Sequence, residues 1–194
     1  MKLILLRHGR TEANERRLYC GVSDVPLSSR GREELLELKG RVAYPDTNGL
    51  QLVTSGMKRA DETLELLFGA QPDVRERGFC EMNFGRFEMH SYDELKNDAD
   101  YQAWIMNENG TIPTPGGESS VQFHKRVFAA ADALHGDALV VCHGGVIAAL
   151  MQRWFPDEGK NMYQWQPDSG QGYCVALDSG RNSYVCIARE TSEL

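Results

Sequence analysis

Two short, unbroken apolar runs organise this chain: Leu3-Ile4-Leu5-Leu6 near its start, and Ala138-Leu139-Val140-Val141-Cys142 much later. Runs without polar alternation belong to strands buried on both faces, as in parallel sheets covered by helices. Strands are expected at 2–7, 51–55, 138–142, 172–178 and 183–188. Between them apolar residues recur at helical spacing over about 28–43, 57–68, 118–134 and 145–154, with Ser28 placed to cap the first of these helices. This alternation predicts an α/β fold: a three-layer α/β/α sandwich around a mostly parallel central sheet. Residues 87–115 break the rhythm. They are polar, carry Trp104, and close on Pro113-Thr114-Pro115-Gly116-Gly117, so they read as a covering insertion over the strand ends.

The chemistry follows directly on the two long runs. The first ends in Arg7-His8-Gly9 and the second in His143-Gly144-Gly145, with the apolar stretch 146–151 opening a helix just after the glycines. Open α/β sheets gather ligand chemistry beyond the carboxyl ends of their strands. There arginine offers a donor fork matched to phosphate oxygens. Histidine offers a nucleophile or base near neutral pH. Glycine allows close backbone approach, and a helix amino terminus is a ready anion site. An anionic ligand held between the two histidines is the reading.

Composition narrows the class. The chain has 194 residues and a net charge of −7, which argues against a nucleic-acid partner and requires that arginines serving an anion be concentrated locally. It carries no apolar stretch of membrane-spanning length and no signal-peptide pattern, so neither a membrane partner nor export is expected. The five cysteines are odd in number and form no CxxC pair, as suits free thiols in a cytoplasmic protein. No HxH, HExxH or CxxC spacing suggests a metal site. Cys142 precedes His143 and Ala148 stands where a CxxxxxR cysteine phosphatase needs arginine, which excludes that class. His124 and His135 fit structural positions in and after a helix, and His90 falls in the covering segment.

Six blocks in order carry a resemblance. Leu6-Arg7-His8-Gly9-Arg10-Thr11-Glu12-Ala13-Asn14 is similar to the signature of the histidine phosphatase superfamily, the phosphoglycerate mutase-like proteins. Gly21 to Gly31 resembles the next block, and Ser55, Arg59-Ala60 and Thr63 the second arginine motif. Glu81 to Glu88 resembles the acidic motif, Gly116 to Ser119 the one after it, and Val141 to Gly145 the last. The resemblance implies one histidine phosphatase domain over 1–194, with 87–115 as its cap. It implies His8 as nucleophile, Glu81 as proton donor, and Arg7, Arg59 and His143 as the groups that neutralise phosphate. Asn14, Gly21 and Gly144 then contact the phosphate or substrate, and Arg10, where an acidic or amide residue is frequent, adds positive charge at the entrance. Cys20 departs from the serine or threonine usual before this glycine, and Gly145 replaces an amide found in the mutases.

The implied reaction is hydrolysis of a small-molecule phosphomonoester through a phosphohistidine, without metal or other cofactor. A carboxyl in a partly apolar site beside other anions can hold the proton that the leaving alkoxide needs. Residues 81–89, 98–104, 112–114, 18–21 and 168–174 further resemble bacterial α-ribazole phosphatases of cobalamin assembly. Met89, Tyr101 and Trp104 would then pack a flat benzimidazole-like ring, or equally pack the cap onto the domain. A broad-specificity phosphatase, a mutase-like enzyme and a non-catalytic phospholigand-binding protein stand as alternatives, and monomer and homodimer are both open.

Overall fold

The computed structural model describes residues 1–188, so residues 189–194 of the expected domain lie outside the described residues. Six strands form one sheet: β1 (Lys2–Arg7), β2 (Gln51–Thr54), β3 (Val74–Arg75), β4 (Ala138–Cys142), β5 (Gly172–Ala176) and β6 (Ser183–Ile187), in the order β3-β2-β4-β1-β5-β6. β1 and β2 both pair in parallel with β4, and β2 with β3, whereas β5 runs antiparallel to β1 and β6 antiparallel to β5. The two long apolar runs are therefore neighbours, with Leu6 opposite Val141 and Arg7 opposite Cys142.

Each central strand feeds two cores. Leu3 and Leu5 of β1 join Val140 and Cys142 of β4 against Phe123, Val127, Ile147 and Leu150, from helices Ser120–Asp132 and Gly144–Trp154. Ile4 and Leu6 join Leu139 and Val141 against Leu35, Leu38, Leu64 and Leu67, from helices Ser29–Lys39 and Lys58–Phe68. Helices on both faces make the three layers, and side chains alternating across a strand explain why the runs lack polar positions. Leu3 through Leu6 have no solvent exposure, and each such side chain contributes roughly 1.5–3 kcal/mol of burial.

Helix boundaries follow local chemistry. The Ser28 hydroxyl accepts from the Gly31 N–H, as expected of a cap, and Gly40 ends that helix earlier than periodicity suggests. Ser119 caps the helix at Ser120 through a reciprocal bond with Gln122. The two-residue edge strand β3 escaped the hydropathy pattern because it is too short to show a period. Residues 87–115 hold two short helices, Tyr92–Leu95 and Ala99–Ile105, around a small cluster of Phe87, Leu95 and Tyr101. This segment is tied to the preceding loop where Tyr19 exchanges backbone bonds with Met89 and His90.

Candidate active site

The parallel pairing of β1 with β4 brings His8 and His143 together at the strand ends, with ring centroids 5.0 Å apart and planes inclined by 64°. The His8 N–H still donates to Cys142 O at 3.0 Å, so the ladder itself fixes the residue. His8 Nδ1 lies 2.6 Å from Gly9 O. A carbonyl can only accept, so the proton is on Nδ1 and the Nε2 lone pair is free. His143 is held by its other nitrogen: Nε2 lies 2.9 Å from the Ser55 hydroxyl, and Nδ1, fully buried, has no partner. Burial lowers both imidazoles well below the usual histidine value, and the charge of Arg59, then of Arg7 on His8, adds to the effect. Both rings are therefore neutral.

Two arginines surround the pair. Arg59 is 1% exposed, and its two terminal nitrogens donate to Gly21 O at 2.7 Å and Ser23 O at 2.8 Å. Its helix also supplies Thr63, whose hydroxyl donates to Arg59 O and accepts the Gly9 N–H at 2.9 Å. Arg7 donates from one terminal nitrogen to Pro167 O at 2.8 Å, while its Nε is buried without a partner. Burial lowers its pKa, opposed by the charges of Glu81 and Asp168. A Cβ at Gly144 would come within 3.2 Å of the Arg7 guanidinium carbon, so glycine permits this approach.

Glu81 bridges the acidic motif to the start of the last long helix. Its carboxylate accepts the Met82 N–H at 3.0 Å and the Gly145 N–H at 2.9 Å. A Cβ at Gly145 would stand 2.4 Å from Glu81 Oε1, so glycine leaves the carboxylate room to lie against the start of this helix. Beneath it, Arg126 donates to Gly78 O, Cys80 O and Glu81 O and pairs with Glu118, locking the motif's backbone. Arg126 and Ser55 belong to the site's frame, yet no local pattern in the sequence singles out either as a partner of the acidic motif or of His143.

The looser expectations divide. Asn14 and Arg10 line, with Arg7, a cavity of about 640 Å³ whose wall also holds Asp168, Ser169 and Gln171 but neither histidine. Asn14 also completes the capping box of the short helix Glu12–Glu15, its Oδ1 accepting from the Thr11 N–H and hydroxyl. Gly21 donates its N–H to Glu88 and gives its carbonyl to Arg59, and it packs so closely on Met82 O that a Cβ would overlap it at 1.6 Å. Cys20 Sγ donates to Ser23 O at 3.7 Å, and burial raises its thiol pKa. Trp104 does not join the histidines. Its ring packs among Tyr19, Phe84, Phe87 and Tyr101 at 5.8–5.9 Å, and Tyr101 is buried with its hydroxyl 2.6 Å from that of Tyr19. These rings join the 87–115 segment to Tyr19 of the loop after the first motif.

A model of the histidine phosphatase superfamily (branch 1) matches residues 3–189. An Escherichia coli protein named adenosylcobalamin/alpha-ribazole phosphatase is 31% identical over 187 residues, covering 88% of this chain and 87% of its own. A Methylobacterium radiotolerans 2,3-bisphosphoglycerate-dependent phosphoglycerate mutase is 32% identical, covering 77% of this chain and 76% of its own. A solved Escherichia coli structure, provisionally described as an alpha-ribazole-5'-P phosphatase, superposes with a TM-score of 0.82 at 26% identity, covering 100% of this chain and 98% of that one.

Proposed function

The chain belongs to the histidine phosphatase superfamily and is a phosphatase, and from this premise we propose a metal-independent phosphomonoesterase that works through a phosphohistidine at His8. The observation that carries the proposal is a pair of buried polar atoms without protein partners, Arg7 Nε and His143 Nδ1, in the residues that surround His8. A buried donor left unpaired costs roughly 1–3 kcal/mol; Arg7 Nε is one, His143 Nδ1 is another when the Ser55 hydroxyl donates to Nε2, and a phosphoryl group supplies the acceptors they lack. Arg7, Arg59, His143 and the Gly144 N–H neutralise its oxygens, which lowers the barrier to attack on a dianion. Two guanidiniums provide this charge from the protein itself.

In this mechanism the His8 Nε2 lone pair attacks phosphorus in line. The ester P–O bond breaks, the phosphoryl group moves to Nε2, and the departing alkoxide takes a proton from Glu81. Water then gives a proton back to Glu81 and attacks the phosphohistidine, releasing inorganic phosphate and restoring His8. The Nδ1–H bond to Gly9 O persists throughout and spreads the positive charge that builds on the ring.

For the substrate we propose α-ribazole 5′-phosphate in cobalamin biosynthesis. The similarity to the Escherichia coli protein supports this, and so does the cavity next to Arg7 and Asn14. Glu34, Glu37 and Asp168 share its wall with Arg7 and Arg10. Such a wall suits an uncharged, hydroxyl-bearing leaving group and disfavours the carboxylate of a phosphoglycerate. The 87–115 segment covers the site in this reading. Phosphate release without added metal, from α-ribazole 5′-phosphate and 3-phosphoglycerate in parallel, tests it. Preferred turnover of the former, lost in His8→Ala, is expected. Similar weak release from both would replace the substrate with a broad range of small phosphomonoesters. No His8-dependent release would leave a phospholigand-binding protein.

A further inference from the structure

Glu88 has no place in that mechanism, yet its half-buried carboxylate collects four backbone N–H groups and a hydroxyl. The donors are Gly21 N at 3.1 Å, Val22 N at 3.1 Å, Ser23 N at 3.2 Å, Ser23 Oγ at 2.6 Å and Phe84 N at 3.0 Å. The same loop gives its carbonyls to the other side, where Gly21 O and Ser23 O hold the Arg59 guanidinium. One peptide plane links the two sets directly. In the Gly21–Val22 peptide, which is trans, the N–H points to Glu88 and the C=O to Arg59. Pulling on that N–H aims the carbonyl, and hydrogen bonds in such a chain polarise one another.

We infer that Glu88 is a positioning residue: by gathering the 21–23 loop it sets the two carbonyls that orient Arg59 beside His8. The inference rests on the phosphatase reading and adds to it a residue that touches neither substrate nor reacting atoms. Arg59 needs such a device because, at 1% exposure, its guanidinium is held by protein carbonyls, and a misplacement of about 1 Å would face it to the wrong oxygens.

The test is a double-mutant cycle on p-nitrophenyl phosphate hydrolysis, with thermal midpoints measured alongside. Glu88→Gln keeps the shape but turns an NH2 group towards donors; Arg59→Met keeps bulk and removes the fork. Glu88→Gln is expected to lower kcat/KM about tenfold or more in the otherwise wild-type protein, and less than about twofold when Arg59 is already Met. The midpoint should fall equally in both backgrounds, since the loop is weakened in each. Equal fold-losses of activity in both backgrounds, or none in the first, would overturn the inference. Should Glu88→Gln fail to fold, Ser23→Ala removes one donor only, and the same non-additivity is expected at about two- to threefold. An inactive wild-type protein would overturn the phosphatase reading together with this one, whereas additive losses in an active enzyme overturn this one alone.

Discussion

The two strand ends look alike in sequence and differ in chemistry. Each delivers a histidine followed by glycine from a fully buried parallel strand, and the rings meet at 5.0 Å. At β1 the next carbonyl in the chain takes the Nδ1 proton, which leaves Nε2 as a bare lone pair. At β4 the tether is a hydroxyl from a different strand end, on Nε2, and Nδ1 is the atom left without a partner. Which nitrogen is tied, and by what, divides the pair into a candidate nucleophile and a candidate donor. A repeated sequence motif thus need not mean a repeated role.

Breaking each half of the pair should show the division most sharply. His8→Ala removes the proposed nucleophile, and kcat/KM for the preferred phosphomonoester should fall on the order of 10³-fold or more. His143→Ala removes one donor to the developing charge, a loss of about 10²–10³-fold. Rapid quench into alkaline SDS, which preserves a phosphohistidine, should trap phosphoprotein in the second variant and none in the first. Phosphoprotein formed by His8→Ala would move the nucleophile elsewhere and dissolve the comparison.

Much of this candidate site is legible in the sequence, for a physical reason. The apolar runs are long enough to show burial on both faces, and burial on both faces puts their ends at the place where a parallel sheet holds ligands. His8, Arg7 and His143 follow from that. The direction of β5 did not, because a run such as 172–176 reads the same whether its neighbour is parallel or antiparallel. Nor did Ser55 on His143, Arg126 under Glu81, or the five donors on Glu88, all of which join residues far apart in the chain. Nor did the packing of Trp104: an aromatic in a polar segment is noticed, but one of the rings it packs on, Tyr19, comes from far along the chain.

A smaller effect distinguishes the histidines from the rest of the protein rather than from each other. Burial, first of all, and then Arg59 hold both folded-state values well below 6.5. In the unfolded chain each imidazole titrates near 6.5, so below that pH the unfolded state binds more protons than the folded one. Stability is therefore complete above pH 6.5 and falls as pH drops, by about 1.4 kcal/mol per pH unit for each histidine until the folded value is reached. Urea unfolding between pH 6.5 and 5 should show this slope reduced by about one proton in His8→Asn and in His143→Asn alike. An unchanged slope in either would mean that this ring takes up its proton while folded.

The finest test concerns the tether alone. If the Ser55 hydroxyl donates to His143 Nε2, the proton stays on Nδ1, the atom without a hydrogen-bond partner among the described residues. Ser55→Ala removes that preference and leaves Nε2 buried and unpaired, so the ring divides between tautomers. A loss of about tenfold or less in kcat follows, since only the fraction with Nδ1–H can donate to the phosphoryl oxygens. Nitrogen chemical shifts of His143 should move towards the Nε2–H form as activity falls, with those of His8 unmoved because its tether is the Gly9 carbonyl. Equal shifts in both rings would make the pair one coupled unit. No shift in either would reduce their difference to what the backbone alone imposes at the two strand ends.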